Sequence, residues 1–147
     1  MQSARFIFVT VRMPGTASTD TPREGIAWML LSPNNRRLGR SDLTYDSYLE
    51  CRNDAVRLSQ DYAKIEARTI TVDSTGQWIW RADLDGIAVA VSSRSYLRAR
   101  ECTYSLDRFL EALPRAQIMP GTRVGLPPNR ASAERPGSLR QTSPAGS

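Results

Sequence analysis

Residues 78–113, WIWRADLDGIAVAVSSRSYLRARECTYSLDRFLEAL, decide the fold. Asp85-Gly86 is a strong two-residue hairpin signal, because a type I′ turn needs positive φ at both central positions. A hairpin closed there pairs Leu84 with Ile87, Ala82 with Val89 and Trp80 with Val91. Side chains two apart share a face of a strand. Trp78, Trp80, Ala82, Leu84, Ile87, Val89 and Val91 are therefore expected in the core, and Ile79, Arg81, Asp83, Ala88, Ala90 and Ser92 on the other face. A helix is expected from Leu97 to Leu113, covering the core face through Cys102, Leu106, Phe109, Leu110 and Leu113. Pro114 marks its end.

A fainter copy of this stretch runs from Gly25 to Tyr62. At a constant offset of 51 residues, Asn35 falls on Gly86, Leu38 on Val89, Ser41 on Ser92, Tyr45 on Tyr96, Glu50-Cys51 on Glu101-Cys102 and Arg57 on Arg108. The helical faces correspond as well, Ala55 with Leu106, Leu58 with Phe109 and Tyr62 with Leu113. Scattered identities arise by chance, but a turn, a serine-to-tyrosine step and a helix face kept at one offset argue for a duplicated unit.

The rest of the chain fits around these units. Arg5 to Arg12 is rich in β-formers and reads as a first strand. Met13 to Glu24 carries two prolines and a glycine and reads as a loop. Ile26 to Ser32 and Arg36 to Ser41 read as strands joined by Pro33-Asn34-Asn35, since Asn tolerates positive φ. Ser47 with Glu50 has the spacing of a capping box, opening a helix whose inner face is Cys51, Ala55, Leu58 and Tyr62. Arg68 to Asp73 reads as the next strand. From Pro120 the composition turns to Pro, Gly, Ser and Arg, too polar to offset its ordering entropy. The expected architecture is α+β: two tandem βββα repeats, residues 1–62 and 63–119, forming an antiparallel sheet with two helices on one face. A disordered basic tail, 120–147, follows.

The features W-x-W-R, D-G and A-x-S-x-x-x-Y between Trp78 and Tyr96, followed by the helix, resemble the YegP-like family of small bacterial proteins. The likeness extends more loosely to Trp28–Tyr45 and covers residues 5–113. The first unit departs from the family pattern: Asn34-Asn35 stands for the usual Asn-Gly, and Arg36-Arg37 and Arg40 replace β-formers. The glycine-containing helix segment of the family is replaced by Asn53–Val56 and by Tyr104–Leu106. The resemblance implies the tandem fold and no agreed activity.

Composition excludes several function classes. The chain of 147 residues has no histidine and two cysteines, Cys51 and Cys102. That removes histidine-based triads, the commonest general base and the commonest nitrogen metal ligand. No CxxC pair, Walker motif or glycine-rich phosphate loop is present. No catalytic, cofactor-binding or metal-binding residues are expected, and the chain reads as a non-enzyme. Cys51 and Cys102 read as small buried core residues, with a redox pair as the alternative. No stretch approaches the roughly 18 apolar residues of a membrane span, and no signal peptide is visible. A cytoplasmic protein without membrane contact is expected.

The net charge is +5, but from Pro120 onward four arginines face a single acid, Glu134. More than half of the excess thus lies in the tail, so the high pI says little about a nucleic-acid-binding domain.

Two surfaces remain as candidates. Transferring the second unit's facing onto the first at the offset of 51 puts Met29 and Leu31 inside. Trp28 and Leu30 then lie outside with Ile79 and Arg81, on an outer face suited to a protein partner or a second copy of the chain. The turn carrying Arg94, Ser95, Arg98 and Arg100 places cations and free N–H groups at a helix start, an arrangement able to hold an anion. The expected function is a non-catalytic interaction module, protein-binding or self-associating. The alternative is a weak nucleic-acid or anion binder through this turn and the basic tail.

Overall fold

A computed structural model describes residues 3–13 and 23–123. Seven strands make one sheet: β1 (Arg5–Met13), β2 (Arg23–Leu31), β3 (Arg37–Ser41), β4 (Glu66–Thr71), β5 (Trp78–Leu84), β6 (Ile87–Val91) and β7 (Gln117–Ile118). Their spatial order is β4-β5-β6-β3-β2-β1-β7. Helix α1 (Tyr48–Gln60) follows β3, and helix α2 (Ala99–Ala112) follows β6. We call β1–β3 with α1 the N-terminal half and β4–β6 with α2 the C-terminal half.

The Asp85-Gly86 turn forms as its residues dictate, with φ of 54° and 79°. Leu84 pairs with Ile87 and Asp83 with Ala88, but Ala82 then pairs with Ala90 and Arg81 with Val91. Val89 is the extra residue of a β-bulge, and beyond a bulge the pairing slips by one residue. Ala90 and Ser92 therefore join the core side, while Val91 stands opposite Arg81. This corrects the expected pairings of Ala82 with Val89 and of Trp80 with Val91. Ser92 faces Trp80 instead, donating its N–H to the Trp80 carbonyl at 3.0 Å and accepting from the Trp80 N–H on Oγ at 3.4 Å.

The N-terminal half has the same kind of irregularity: Leu31 pairs with Arg37, but Leu30 pairs with Gly39. The connection between them is one residue longer than in the C-terminal half, six positions from Leu31 to Arg37 against five from Asp83 to Ala88. Ser32 holds this longer turn. Its N–H donates to the Arg36 carbonyl at 2.8 Å, its hydroxyl donates to Asn34 Oδ1 at 2.8 Å, and its Oγ accepts from the Arg36 N–H at 3.0 Å. Asn35 takes the positive φ, 68°.

Both helices lie on one face of the sheet and share one core. Cys51, Ala55 and Leu58 of α1 and Cys102, Leu106 and Phe109 of α2 are buried with Phe6, Phe8, Trp28, Leu30, Trp80, Ala82 and Leu84. Each large side chain so buried stabilises the fold by about 1.5–3 kcal/mol relative to exposure. Phe109 sits at the centre, its ring 4.6 Å from Trp80 and 6.3 Å from Trp28. Gly39 makes this possible: a Cβ there would lie 2.6 Å from Phe109 Cδ1 and 2.8 Å from Trp80 Cη2. The missing side chain lets Phe109 settle onto β3.

The sheet is mixed, not purely antiparallel. β1 to β6 pair antiparallel, whereas β7 runs parallel to β1, with Arg5 opposite Gln117 and Phe6 opposite Ile118. A 3-10 turn at Leu113–Arg115 sends the chain back along the free edge of β1. There the Gln117 N–H donates to the Ala4 carbonyl at 2.9 Å and that of Met119 to Phe6 at 3.1 Å. The contact continues: the Arg123 N–H reaches the Phe8 carbonyl at 2.9 Å, and Thr10 donates back to the Arg123 carbonyl at 2.9 Å. Arg123, three residues past the boundary expected at 120, thus still lies against β1. The remaining tail, 124–147, lies outside the described residues.

Candidate functional site

All four residues expected on the outer face, Trp28 and Leu30 on β2 and Ile79 and Arg81 on β5, have a facing that depends on register. Trp28 and Leu30 are in the core, 1% and 0% exposed. The extra turn residue means that β2 matches β5 at an offset of 52, so Trp28 takes the place of Trp80 rather than of Ile79. A one-residue slip moves every side chain of a strand to the opposite face. Ile79 and Arg81 do lie on the outer face, half-buried. The N-terminal residues that accompany them there are Ala27, Met29 and Leu31.

The outer face divides into two regions. In the N-terminal half it is apolar, with Ile7, Val9 and Leu31 buried and Val11, Ala27, Met29 and Met119 packed against them. One cross-strand row on this face runs Arg5, Leu31, Arg37. In the C-terminal half the corresponding row runs Glu66, Asp83, Ala88. There Arg68 is the partner of Asp83 at 2.9 Å, and Arg81 Nε and Asp83 Oδ1 are buried without a hydrogen-bond partner. The basic row of the N-terminal half has no such carboxylate: among the described residues, the ion pairs are Arg57 with Asp61 and Asp85, Arg68 with Asp83, and Arg108 with Glu111.

A cavity of about 440 Å³ opens at the basic row, lined by Arg5, Ile7, Val9, Leu31, Asn35, Arg37 and Arg123. Arg5 is fixed there by Asn35 Oδ1 and, at 3.4 Å, by the Ser32 carbonyl. Arg123 arrives through its backbone pairing with β1, opposite Val9. These arginines are far apart in sequence and only the strand order brings them together.

The second expected site, the turn before α2, is brought together in part. Tyr96 pairs with Trp78 through two backbone hydrogen bonds of 2.6 and 2.7 Å, fixing the turn to the sheet. Ser95 Oγ donates to Gln77 Oε1 at 2.5 Å. Arg94 donates from Nε to the Ser95 carbonyl at 3.3 Å and lies 5.2 Å from the centre of the Tyr96 ring. Gln77, Arg94, Ser95 and Leu97 line a smaller cavity of about 230 Å³. Arg98 is the N-cap of α2 and makes no side-chain capping bond; Arg98 and Arg100 are exposed and do not line that cavity.

The thiols lie in the core. Cys51 and Cys102 are free, and both are fully buried. Burial pushes the Cys51 thiol up to about 12, with the Asp54 charge adding to the effect. Burial alone raises Cys102 to about 11. Both are thiols rather than thiolates at neutral pH, and a thiol is the poorer nucleophile. Among the described residues no three of His, Cys, Asp and Glu come together as metal ligands, and no helix is long and apolar enough to cross a membrane.

No family model and no curated protein matches the sequence. Two solved structures share the fold. One is the YegP protein of Escherichia coli, a protein of unknown function, with a TM-score of 0.54 and 14% identity, covering 86% of this chain and 98% of that one. The other is a UPF0339 protein of Shewanella oneidensis, with a TM-score of 0.55 and 11% identity, covering 82% of this chain and 92% of that one. The sequence likeness to YegP-like proteins is thus matched at the level of the fold.

Proposed function

We propose that this protein is a non-catalytic interaction module that binds an acidic, partly apolar protein segment on the outer face of its sheet. The observation that carries the reading is the second apolar cluster, Ile7, Val9 and Leu31, on the side away from both helices and bordered by arginines. The side chains packed over this cluster, Val11, Ala27, Met29 and Met119, are only partly buried, and an apolar surface of that kind edged by one sign of charge suits a partner of the opposite sign. A second copy of the chain is the less favourable occupant, because it would set arginines against arginines. The large core aromatics Phe6, Phe8, Trp28 and Trp80 point to the helices, so among the described residues the face offers no stacking platform for single-stranded nucleic acid. The same reading takes the two halves as copies of one βββα unit, supported by the matched Trp28–Ser41 and Trp80–Ser92 hydrogen bonds.

The test is an NMR titration of the full chain with a peptide of alternating glutamate and leucine, beside light scattering of the protein alone. The expected result is a monomer whose Met29, Ile79 and Arg81 amides shift on peptide addition. Shifts confined to the helices, or a stable dimer without peptide, overturn the reading. A second reading, anion or nucleic-acid binding at the α2 turn, draws on the missing side-chain cap at Arg98. It predicts salt-sensitive binding of an oligonucleotide that weakens when Arg94, Arg98 and Arg100 become Gln; salt-insensitive binding counts against it.

A further inference from the structure

We propose that the open edge of β4 is a docking site for an extended segment of another protein, which adds to the seven-stranded sheet as a further strand. This goes beyond the reading of the outer face. The groups that would be recognised are backbone groups, at the opposite end of the sheet from the Ile7, Val9 and Leu31 cluster.

The alternation of hydrogen bonds defines the edge. Val72 donates its N–H to the Gln77 carbonyl at 2.7 Å. Residues that exchange hydrogen bonds alternate along an antiparallel pair. The register runs on unbroken, with Ile70 opposite Ile79, Arg68 opposite Arg81 and Glu66 opposite Asp83. The N–H and C=O groups of Ile70, Arg68 and Glu66 therefore face β5, and those of Thr71, Thr69 and Ala67 face away. Among the described residues no strand lies on that side. At the other end of the sheet the chain covers its own edge, with β7 and Arg123 lying along β1. β4 has neither a proline nor a bulge to blunt it. N–H and C=O groups alternating at strand spacing are complementary to another extended backbone.

The side chains decide which backbone fits. On the outer face Glu66 lies beside Asp83, Arg68 beside Arg81 and Ile70 beside Ile79. Opposite charges paired across strands stabilise, and like charges directly opposite do the reverse. An antiparallel partner thus carries a base opposite Glu66, an acid opposite Arg68 and an apolar residue opposite Ile70. A second copy of the chain meets this pattern in none of the registers centred on β4. Two-fold pairing centred on Arg68 sets that arginine against itself. Centred on Thr69 or Ile70, it gives Arg68 an apolar neighbour, Ile70 or Val72. Centred on Ala67, it joins Glu66 to Arg68, but the ladder stops there, because the Ile65 N–H is already given to the Tyr62 carbonyl at 3.3 Å. The occupant is therefore a different chain.

The experiment is an NMR titration of the full chain with the end-blocked peptide Thr-Val-Thr-Glu-Thr-Lys, which sets valine, glutamate and lysine opposite Ile70, Arg68 and Glu66. Saturable binding is expected, with shifts at the Ala67, Thr69 and Thr71 amides. N-methylation of the peptide's threonines, whose N–H groups face β4, should abolish binding, whereas N-methylation of its valine and glutamate should leave it intact. Exchanging the glutamate and lysine is expected to weaken binding about 10-fold, and Arg68→Gln about 2- to 5-fold. Thr69→Pro removes an outward N–H and leaves the ladder to β5 in place, so it should keep the fold and weaken the peptide roughly 10-fold. Thermal melts check the fold, and the methylated peptides need no variant at all. No saturable binding at millimolar peptide, equal binding of the exchanged peptide, equal loss on either pattern of methylation, or a dimer of the free protein that Thr69→Pro dissociates would each overturn the assignment. The acidic peptide of the outer face has its own marker, the Met29 amide. Shifts there with β4 unmoved by either peptide would sink this proposal and leave that one, and the converse pattern would do the opposite.

Discussion

The two halves of the molecule agree on the inside of the sheet and differ on the outside. Inside, Trp28 and Trp80 occupy matching places, and each donates its backbone N–H to a serine Oγ, of Ser41 and Ser92. Tyr45 pairs with Ile26 as Tyr96 pairs with Trp78. Outside, the row Arg5, Leu31, Arg37 meets its counterpart Glu66, Asp83, Ala88 with charge exchanged for the opposite sign. The inner positions are bound by close packing, where a change of one methylene is felt. The outer positions are constrained only by what they meet, so the two halves are free to differ there.

If the inner likeness is real, the largest effects come from breaking it. Trp28→Ala and Trp80→Ala should each cost about 3–5 kcal/mol, since both leave a large cavity beside Phe109. Urea denaturation followed by circular dichroism measures this. A Trp28→Ala variant as stable as the parent would return Trp28 to the surface and undo the register.

The two thiols extend the comparison to alkaline pH. Each titrates above its ordinary value of 9.0, Cys51 near 12 and Cys102 near 11. A raised folded-state value means that the native form holds its proton while the unfolded chain has lost it. The stabilising contribution is therefore complete below pH 9 and lost as pH rises through the folded values. By pH 11 the loss is roughly 2 kcal/mol per thiol. Stability measured from pH 8 to 11 should fall less steeply in Cys51→Ala and Cys102→Ala, and an unchanged slope would contradict the burial.

A third test separates the halves. The Tyr45 hydroxyl donates to Asp54 Oδ2 at 2.6 Å, whereas that of Tyr96 donates to Ser105 Oγ at 2.8 Å. Burial, then Asp54, raises the Tyr45 pKa and keeps the donor protonated. A hydrogen bond to a charged group contributes about 1.5–3 kcal/mol against 0.5–1.5 for a neutral pair. Tyr45→Phe should therefore cost more than Tyr96→Phe in the same denaturation assay. Equal costs would make the Asp54–Ser105 difference immaterial.

How far this could be read beforehand depends on the kind of signal. Asp85-Gly86 announces its turn by conformational need, and Ser47 with Glu50 announces a helix start. The facing of β2 was not legible, because it rests on one additional turn residue held by the Ser32 side chain. The bulge at Val89 carries no glycine or other mark, and Gly39 beside the bulge at Leu38 serves the close approach of Phe109. Arg5, Arg37 and Arg123 meet only because β7 and the residues after it lie against β1. Nothing local in that Pro- and Gly-containing segment suggests a strand, so the cavity had no sequence signature.

The smallest expected effect is also the one that best tells a stability role from a binding role. α1 starts with Ser47, whose Oγ accepts from the Glu50 N–H at 3.2 Å, while α2 starts with an uncapped Arg98. Removing the cap by Ser47→Ala should cost about 1 kcal/mol, and supplying one by Arg98→Ser should gain about as much. Arg98→Asp should gain a few tenths more, since an anion suits the positive end of the helix dipole. The same three proteins can be titrated with an oligonucleotide. If Arg98→Ser stabilises the fold and leaves binding unchanged, the arginine is a local departure from good capping. If it stabilises the fold and weakens salt-sensitive binding, Arg98 is retained against stability for a ligand. That outcome would give the C-terminal half its own anion contact, distinct from the arginine row of the N-terminal half.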